Sequence, residues 1–429
     1  MKLGNKISKR NFLKKSMALT GLIAVPTLFD NQEKEFIGNG FFNIQEFDVK
    51  PGNSAEKNKV NLQKAIDFAS LSGSTLFVEP SENPYHINGG IILKENVSLI
   101  GVHGPTPRGT VHPSKAQPVG SVFKITDKNE AFITVKSATQ IKGIQFWYSE
   151  QTINDPNSII EYPATIQTSK ISSTQGVFLS CLTFYGEYLA MDFNASREYI
   201  CELMTFEHCY GYPLGGEFIR INYCYDIPRI ISCHVNPSNQ RFIGGGYSRA
   251  VVDAVISKKT FAYTINHTDN AQIIDLFTFG TYGGITLGEE SYGQLTSFNL
   301  DCVAIGIHKK GNNTKNRNWQ ISQGSIIANT GEPVENIHPI IVEGQGHTAL
   351  SNVEAFSGGN PALTTVPENE SWDFLLIKGD KRLTISMFGC RMRNYVSAEP
   401  LTIENSQAII QAVACIDKDE ELYNKTINA

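Results

Sequence analysis

Apolar positions follow two spacings in this chain, one near its start and another through most of the rest. Between residues 61 and 70, apolar side chains recur at helical spacing: Leu62, Ala65, Ile66 and Ala69. Residues spaced in this way share one face, so this segment predicts an amphipathic helix. Beyond it, short runs rich in β-branched and aromatic residues alternate with Gly, Asn, Asp and Ser turns. That pattern predicts many short strands and no further helix of convincing length.

The predicted helix leads into a glycine turn at Gly73, a strand ending at Pro80, and the short segment Tyr85-His86-Ile87. Residues 91–101 then read as a first coil, and the whole opening resembles the N-terminal cap of the pectate-lyase superfamily. In that family an amphipathic helix covers the open end of a right-handed parallel β-helix, which would otherwise expose its interior and its strand edges. The resemblance implies this fold for roughly residues 41–415, although its specific motif lies only in 53–101.

Internal similarity supports a solenoid. Segment 179–184 superposes on 202–206 and on 274–279, with 295–300 as a looser copy, and a second short strand follows each. Asn-Gly and Asp-Gly hairpin signals are nearly absent, which argues against a sandwich of antiparallel strands. We therefore predict an all-β protein, a single-stranded right-handed parallel β-helix with an N-terminal capping helix, forming one domain over residues 41–429.

The first 30 residues are predicted to be an export signal rather than part of the fold. The run Ser8-Lys9-Arg10-Asn11-Phe12-Leu13-Lys14 resembles a twin-arginine motif with lysine in the first arginine position, and a short apolar stretch follows. A basic segment before a short apolar run is typical of a cleavable signal. Both the Sec and the twin-arginine routes stay open, and we expect a periplasmic or extracellular protein.

Composition narrows the function classes. The chain has 429 residues, 41% hydrophobic and 18% charged, with a formal net charge of −5. A nucleic-acid partner is not expected, because such proteins usually carry a strong basic excess. Without 18 consecutive apolar residues, no membrane span is predicted. The eight cysteines show neither C-x-x-C nor zinc-type spacing, so we expect small buried interior residues, with disulfides as the alternative.

The feature richest in chemistry is a row of ionisable residues after successive predicted strands: Asp192, Glu217, Asp253, Glu289 and His308. Strands of neighbouring coils lie about 4.8 Å apart, so carboxylates one or two coils apart would be about 5 or 10 Å apart. Those values bracket the carboxylate separations of retaining and inverting glycosidases. We predict Asp192, Glu217 and Asp253 as catalytic, although acidic residues also simply mark strand ends.

A second row follows the first strand of each repeat: Glu187, Glu207-His208, Tyr282 and Asp301. Glu207 and His208 are further catalytic candidates. Aromatic faces suit pyranose rings and arginines suit carboxylates, so the mixed residues around this row predict a sugar-binding surface. The candidates for substrate binding are Arg220, Tyr223, Tyr225, Asp226, His234, Arg241, Arg249, His267, Tyr282 and Asp301. A tyrosine-rich solenoid surface without function is the alternative.

Three functions remain open at this point. The first is an exported glycoside hydrolase that cuts a polysaccharide or oligosaccharide with a carboxylate pair and no cofactor. The second is a polysaccharide lyase with a His, Lys, Arg or Tyr base, for which Ca²⁺ would be possible. The third is a non-catalytic glycan-binding or adhesin-like protein. Neither the polygalacturonase motif series nor the calcium-dependent pectate lyase signature is found, so the resemblance implies a broad class and no particular activity.

Overall fold

The computed structural model describes residues 40–103, 112–240, 246–311, 318–328, 337–356, 373–395 and 397–429. Residues 40–429 form one compact unit. The predicted export signal at residues 1–30 lies outside the described residues. Among the described residues there are two α-helices, α1 (Ala55–Ser70) and α2 (Arg249–Ser257), and three short 3₁₀ segments, Ile44–Phe47, Pro156–Ser158 and Pro237–Gln240. No helix in the described part of the chain is long and apolar enough to cross a membrane.

The remaining regular structure is strand. In chain order the strands are β1 Phe41–Asn43, β2 Thr75–Phe77, β3 Tyr85–His86, β4 Ile91–Leu93, β5 Ser98–Ile100, β6 Val122–Ile125, β7 Ile133–Val135, β8 Thr139–Lys142, β9 Gln145–Tyr148, β10 Ile166–Thr168, β11 Thr174–Tyr185, β12 Met191–Asn194, β13 Cys201–Gly211, β14 Ile219–Asn222, β15 Cys224–Tyr225, β16 Arg229–Ile231, β17 His234–Val235, β18 Phe261–Ile265, β19 Ala271–Ile274, β20 Phe277–Phe279, β21 Gly283–Leu287, β22 Gly293–Thr296, β23 Asn299–Val303, β24 Ile305–Lys309, β25 Trp319–Ala328, β26 Ile340–Glu343, β27 Gly346–Phe356, β28 Leu375–Lys378, β29 Leu383–Phe388, β30 Arg391–Met392, β31 Leu401–Ile403, β32 Ala408–Ile416 and β33 Leu422–Asn428.

These strands form two sheets that wind as a parallel solenoid. Sheet B contains β4, β7, β10, β12, β14, β18, β21, β24, β26, β28 and β31, each paired in parallel with the strand of the next coil. The other strands form sheet A, where named strands also pair in parallel except for the final antiparallel pair β32–β33. The predicted all-β parallel β-helix is therefore confirmed.

The interior is a continuous stack of apolar side chains, and the predicted cap covers its first coil. Helix α1 begins after Ser54, whose hydroxyl accepts from the Lys57 amide, and it buries Leu62, Ala65, Ile66 and Ala69 as predicted. Its buried Asn58 contacts both the preceding loop and β3. Because an N-cap hydroxyl satisfies an amide that has no partner within the helix, the sequence of this segment favours a helix that starts here.

Sheet A bends sharply at one position in each coil. Residues at this corner adopt left-handed backbone conformations with φ between 51° and 67°: Gly143, Cys181, His208, Ser232, Asp275 and Ser297. Glycine takes this conformation readily, whereas side-chain-bearing residues usually avoid it. The repeated bend divides each long strand of sheet A into two arms.

The bend explains why the predicted repeat alignment is wrong in register. The expected alignment placed Phe184, the last residue of segment 179–184, opposite Phe206. In the structure Leu179 pairs with Phe206 and Thr183 pairs with Tyr210, so the register is shifted by five residues. Ile274 pairs with Thr296, one residue from the expectation. Similar patterns of apolar residues and threonine occur in both arms of a bent strand, so sequence similarity alone does not distinguish one arm from the other.

Helix α2 contradicts the prediction that no further helix follows. It begins after Ser248, whose hydroxyl accepts from the Val251 amide, and it buries Val251, Val252, Val255 and Ile256. The cap residue and the i, i+4 apolar spacing were visible in the sequence as a helix signal. The cysteines do occupy the interior: seven are buried, Cys181 is half-buried, and all eight carry free thiols.

Candidate functional site

Polar side chains lie in register on six consecutive strands of sheet B, and all but the buried Thr286 are partly exposed. In β12 and β14 the apolar residues Met191, Phe193, Ile219 and Ile221 are buried, which turns the alternate positions outward. Outward positions on consecutive strands pair in register and form what we call the polar column: Gln167, Asp192, Arg220, Thr264, Thr286 and His308. Successive members lie about 4.8 Å apart along the solenoid.

Asp192, Glu217 and Arg220 form the charged centre of this column. The Arg220 guanidinium donates to Glu217 through Nε (3.0 Å) and Nη2, and its Nη1 lies 4.0 Å from Asp192 Oδ1. The Thr264 hydroxyl donates to the second Glu217 oxygen at 2.8 Å. Burial opposes the charge on Arg220, but the two carboxylates outweigh it and raise the pKa of the guanidinium. The structure therefore brings Asp192, Glu217 and Arg220 together, as the sequence suggested.

Lys170 adds a second cation beside Asp192. Its Nζ lies 3.4 Å from Asp192 Oδ2 and 3.0 Å from the Asn194 carbonyl oxygen. Asp192 thus faces two cations at 3.4 and 4.0 Å, whereas Glu217 is held by closer hydrogen bonds. Asp192 Oδ1 also accepts from the Asn194 amide at 3.1 Å, so the two carboxylates differ mainly in their distances to the cations.

Amides and a histidine border the column on its far side. Asn222 donates to Asn194 Oδ1 at 2.9 Å, and His267 Nδ1 lies 2.8 Å from Asn222 Oδ1. The His267 ring stacks on Tyr223 with centroids 4.3 Å apart. These two predicted binding residues are therefore neighbours of the charged centre, and the stacking fixes the imidazole in place.

Aromatic rings border the other side, where the chain enters sheet B. Tyr188 donates to Glu161 at 2.9 Å, and Lys258 lies 5.3 Å from the Tyr188 ring centre. Burial and the Glu161 carboxylate raise the Tyr188 pKa to about 12. On later coils Tyr282 packs edge-on against Phe261, within an apolar cluster that includes Ile305 and Ile341. Burial also raises the Tyr282 pKa.

His308 ends the polar column in a hydrogen bond with Glu343. Its Nε2 lies 3.0 Å from Glu343 Oε1, and this hydrogen bond lowers the Glu343 pKa against the effect of burial. His308 occupies the column position predicted for it, in register with Thr286. Glu289 does not, because it follows β21 and lies beyond the last strand residue, Leu287.

Asp253 is the main error in the predicted row. It lies on helix α2, where Arg249 Nε donates to its Oδ1 at 2.5 Å, so the two predicted residues pair with each other one helical turn apart. Helix α2 is inserted between β14 and β18 and lengthens this coil. A residue count from Glu217 therefore reached the helix, where Asp253 lies, instead of the next strand of sheet B. The strand position next to Arg220 belongs to Thr264.

The predicted residues of sheet A lie elsewhere. Glu207 and His208 occupy the end of one arm and the bend of β13, with His208 Nδ1 3.4 Å from Glu207 Oε1. His234 stacks on Phe277 with centroids 4.2 Å apart. Asp301 pairs in register with Phe279, and burial raises its pKa.

Tyr225 and Asp226, two further predicted binding residues, are also separate from the column. Tyr225 pairs with Glu202 in sheet A, and Asp226 follows it in the turn with φ of 50°. Arg241 lies outside the described residues. The two predicted rows therefore lie on different sheets.

Glu187 is buried completely where the chain leaves β11 for sheet B. Neither of its carboxyl oxygens makes a hydrogen bond of regular geometry, and one lies over Gly211, where any Cβ would clash with it. Burial raises the Glu187 pKa to about 8, and the amides of Glu187 and Tyr212 oppose this only in part. The carboxyl is therefore largely protonated at neutral pH in the folded protein.

Sequence reasoning missed Lys170, Thr264, Thr286, Asn194 and Asn222. A usable signal was present, because Asp192 and Asn194 alternate with Met191 and Phe193, and period-2 alternation marks the outward face of a strand. Among the described residues, no group of three or more His, Cys, Asp or Glu side chains is arranged to hold a metal ion.

No protein-family model and no curated protein matches the sequence. Solved structures do. The Acinetobacter phage vB_ApiP_P1 tailspike protein matches with a TM-score of 0.45 at 10% identity, over 90% of this chain and 56% of the tailspike, so the chain spans little more than half of that protein. The Thermotoga maritima exopolygalacturonase matches with a TM-score of 0.40 at 10% identity, over 92% of this chain and 95% of that one.

A third similar structure is the DFA-IIIase of Arthrobacter chlorophenolicus A6, with a TM-score of 0.43 at 10% identity, over 90% of this chain and 97% of that one. At such identities a likeness concerns fold and not activity. The strand pairings described above define that fold independently: the chain is a right-handed parallel β-helix.

Proposed function

We propose that the protein is a carbohydrate-active enzyme that binds a glycan along the polar column and hydrolyses a glycosidic bond with Asp192 and Glu217. The observation that carries the proposal is the placement of both carboxylates on one guanidinium, Arg220. Carboxylates that reach different nitrogens of one guanidinium are compatible with the roughly 5–10 Å that separates the two acids of glycosidases.

The different surroundings of the two carboxylates assign their roles. Glu217 receives hydrogen bonds from Arg220 and Thr264, which fix the position of its carboxylate. Glu217 therefore acts as the base or nucleophile. Asp192, whose contacts to Lys170 and Arg220 are longer, is assigned as the general acid that protonates the leaving oxygen.

The polar column has the length and chemistry for an extended ligand. Its six positions span about 24 Å at the spacing of parallel strands, enough for several sugar units. Asn194, Asn222 and Gln167 offer amide groups for hydroxyls, and the rings of Tyr188 and Tyr282 lie on the entry side. Pyranose rings pack their apolar faces on such aromatic groups. Export by the predicted signal at residues 1–30 would bring the protein to polysaccharides outside the cytoplasm.

One observation favours a second candidate, glycan binding without cleavage. Arg220 and Lys170 pair with Asp192 and Glu217 in the free protein, so both carboxylates already have cationic partners. A surface of paired charges, amides and rings is also what a binding protein presents. Ligand binding must displace Arg220 from Glu217 before hydrolysis, whereas simple binding leaves the ion pair intact.

The test is a screen of purified protein against neutral and uronate-containing polysaccharides, following reducing ends and absorbance in the ultraviolet. Hydrolysis produces reducing ends without new absorbance, and we expect Asp192→Asn and Glu217→Gln each to lower it by about 10²–10⁴-fold. Glu202→Gln, on the exposed face of sheet A, is the matched control and should keep full activity.

The other outcomes are equally clear. Products that absorb in the ultraviolet would show a lyase, and binding without any product would show a glycan-binding protein. Loss of hydrolysis in Asp253→Asn together with full activity in Asp192→Asn and Glu217→Gln would move the chemistry to helix α2 and overturn the proposal.

A further inference from the structure

A cavity of about 270 Å³ lies where two late coils turn from sheet B into sheet A. It is lined by Gln345, Gly346, His347, Arg382 and Thr384. The two turns that form it join β26 to β27 and β28 to β29. This places the cavity about four coils from Arg220, or roughly 19 Å along the solenoid, outside the polar column.

Glycine keeps this corner open. Gly344, Gly346 and Gly379 all have φ between 86° and 102°, a conformation that side-chain-bearing residues rarely adopt. The turns of neighbouring coils also approach closely, since a Cβ on Gly379 would lie 3.5 Å from the Gly344 nitrogen. The sequence therefore builds a narrow turn with accessible backbone at this place in the solenoid.

A buried cation lies under the floor of the cavity. Lys309 is 1% exposed and takes an inward position paired with Leu287 and Val342 on the neighbouring strands. Its Nζ donates to the carbonyl oxygens of Glu343 (3.0 Å) and Gln345 (2.9 Å). Within the described residues no carboxylate contacts this ammonium, because the Glu343 side chain is paired with His308.

This ammonium keeps its charge at neutral pH. Burial lowers the Lys309 pKa to about 8, against the attraction of Glu343. Burying a positive charge that is hydrogen-bonded only to carbonyl oxygens is costly, and anions placed nearby reduce that cost. The Gln345 carbonyl that it contacts belongs to a residue lining the cavity, so the positive charge of Lys309 lies close to the cavity.

The rim supplies a second cation and neutral hydrogen-bonding groups. Arg382 is exposed and has no ion pair among the described residues. His347 and Thr384 occupy partner positions on β27 and β29, and the Ser386 hydroxyl lies 3.0 Å from His347 Nε2. Burial lowers the His347 pKa, so this imidazole is neutral at pH 7. The two turns contain two acidic residues and three basic ones, and Lys309 beneath them adds a further positive charge. The acidic residues are Glu343 and Asp380, and the basic ones are Lys378, Lys381 and Arg382.

We propose that this cavity is a binding site for a single sugar-sized polyol that carries one carboxylate, such as a hexuronate. The Arg382 fork pairs with the carboxylate, since guanidinium groups recognise carboxylates through two parallel hydrogen bonds. Gln345, His347 and Thr384 hydrogen-bond the hydroxyl groups. The site is independent of the cleavage proposed for Asp192 and Glu217.

The test is calorimetric titration of the full chain with D-glucuronate, D-glucose and sodium sulfate at low ionic strength. We expect glucuronate to bind at least about tenfold more tightly than either glucose or sulfate, because only glucuronate offers both the charge and the hydroxyls. Arg382→Gln should weaken glucuronate binding about tenfold, as expected for loss of a charge-assisted hydrogen-bonded pair. Lys381→Gln removes the same charge one residue away and should change binding less than about twofold.

Three results would overturn the proposal: no glucuronate binding at millimolar concentration, equal binding by the wild type and Arg382→Gln, or sulfate binding as tight as glucuronate. Arg382 and Lys381 are both exposed, so neither substitution threatens folding. Hydrolysis that persists while glucuronate binding fails would refute this site and leave the proposed activity standing.

Discussion

Asp192 and Arg220 occupy partner positions on β12 and β14, yet the Arg220 guanidinium lies closer to Glu217 of its own coil than to Asp192. The strand register places Arg220 beside Asp192, but the Arg220 side chain is directed toward Glu217. A single cation thus separates two anions on the outer face of sheet B. Carboxylates placed side by side without such a cation repel each other.

The first prediction concerns that cation. Arg220→Gln leaves Asp192 and Glu217 facing each other with only Lys170 nearby, so we expect the free energy of unfolding to fall by about 1–2 kcal/mol. Urea denaturation at pH 7 measures this loss. Arg391→Gln removes a solvent-exposed arginine paired with Glu420 and should lower the stability much less than Arg220→Gln. Equal effects of the two substitutions would show that Arg220 contributes no more than a surface ion pair.

The fold was predictable because it depends on repeated local signals. The cap helix with Leu62, Ala65, Ile66 and Ala69, the short strands and the missing hairpin turns all indicated a capped parallel solenoid. Such signals tolerate an error of a few residues, because every coil supplies a new one. The interior location of the cysteines followed from the same apolar context.

Predicting the site required the register of each strand against its neighbours, which local sequence signals do not supply. Asp192 and His308 lie in the polar column as expected, but Arg220 and Thr264 occupy the positions assigned to Glu217 and Asp253. Helix α2 and the bend at residues such as His208 each change the number of residues per coil. A slip by one residue reverses the face of a strand, so small counting errors move a predicted side chain away from the site.

A second prediction tests backbone strain in sheet A. Leu203 has φ of 54° and is 38% exposed, so its backbone is strained and its side chain is only partly packed. Leu203→Gly should raise the free energy of unfolding by about 0.5–1 kcal/mol, because glycine adopts this conformation without strain. Ile171 is 79% exposed and is not among the positive-φ residues, so Ile171→Gly should have the opposite sign. Chemical denaturation with an unchanged slope measures both, and destabilisation by Leu203→Gly would contradict the strain argument.

A third prediction concerns attachment of the cap helix. Asn58 is fully buried in α1 and donates to the carbonyl oxygens of Lys50 and His86, while its Oδ1 accepts from the Lys50 amide. Asn58→Ala leaves these buried backbone groups without partners, so we expect a loss of about 2–4 kcal/mol. Lys64→Ala, on the exposed side of the same helix, should change stability by less than about 0.5 kcal/mol. Thermal unfolding would decide, and a loss for Asn58→Ala no larger than for Lys64→Ala would contradict this role.

The fourth prediction is a pH dependence caused by Glu187. Its pKa is raised from 4.5 to about 8 by burial, so the folded protein holds a proton that the unfolded chain releases above pH 4.5. Between about pH 4.5 and 8 the folded state binds more protons than the unfolded state, and stability therefore falls as the pH rises. The contribution of Glu187 is least unfavourable below pH 4.5 and most unfavourable above pH 8.

Glu187→Gln removes this dependence, because the amide has nearly the same shape and no proton to lose. We expect the variant to gain stability relative to the wild type as the pH rises from 5 to 8, by about 1.4 kcal/mol per pH unit at most. Urea denaturation at a series of pH values gives the difference directly. Glu161→Gln removes a carboxyl that contacts Tyr188 at the surface, and its difference from the wild type should stay nearly flat over the same range. If the difference in the free energy of unfolding between Glu187→Gln and the wild type were constant from pH 5 to 8, Glu187 would be ionised in the folded protein. A hydrogen-bonding partner would then have to stabilise the buried carboxylate.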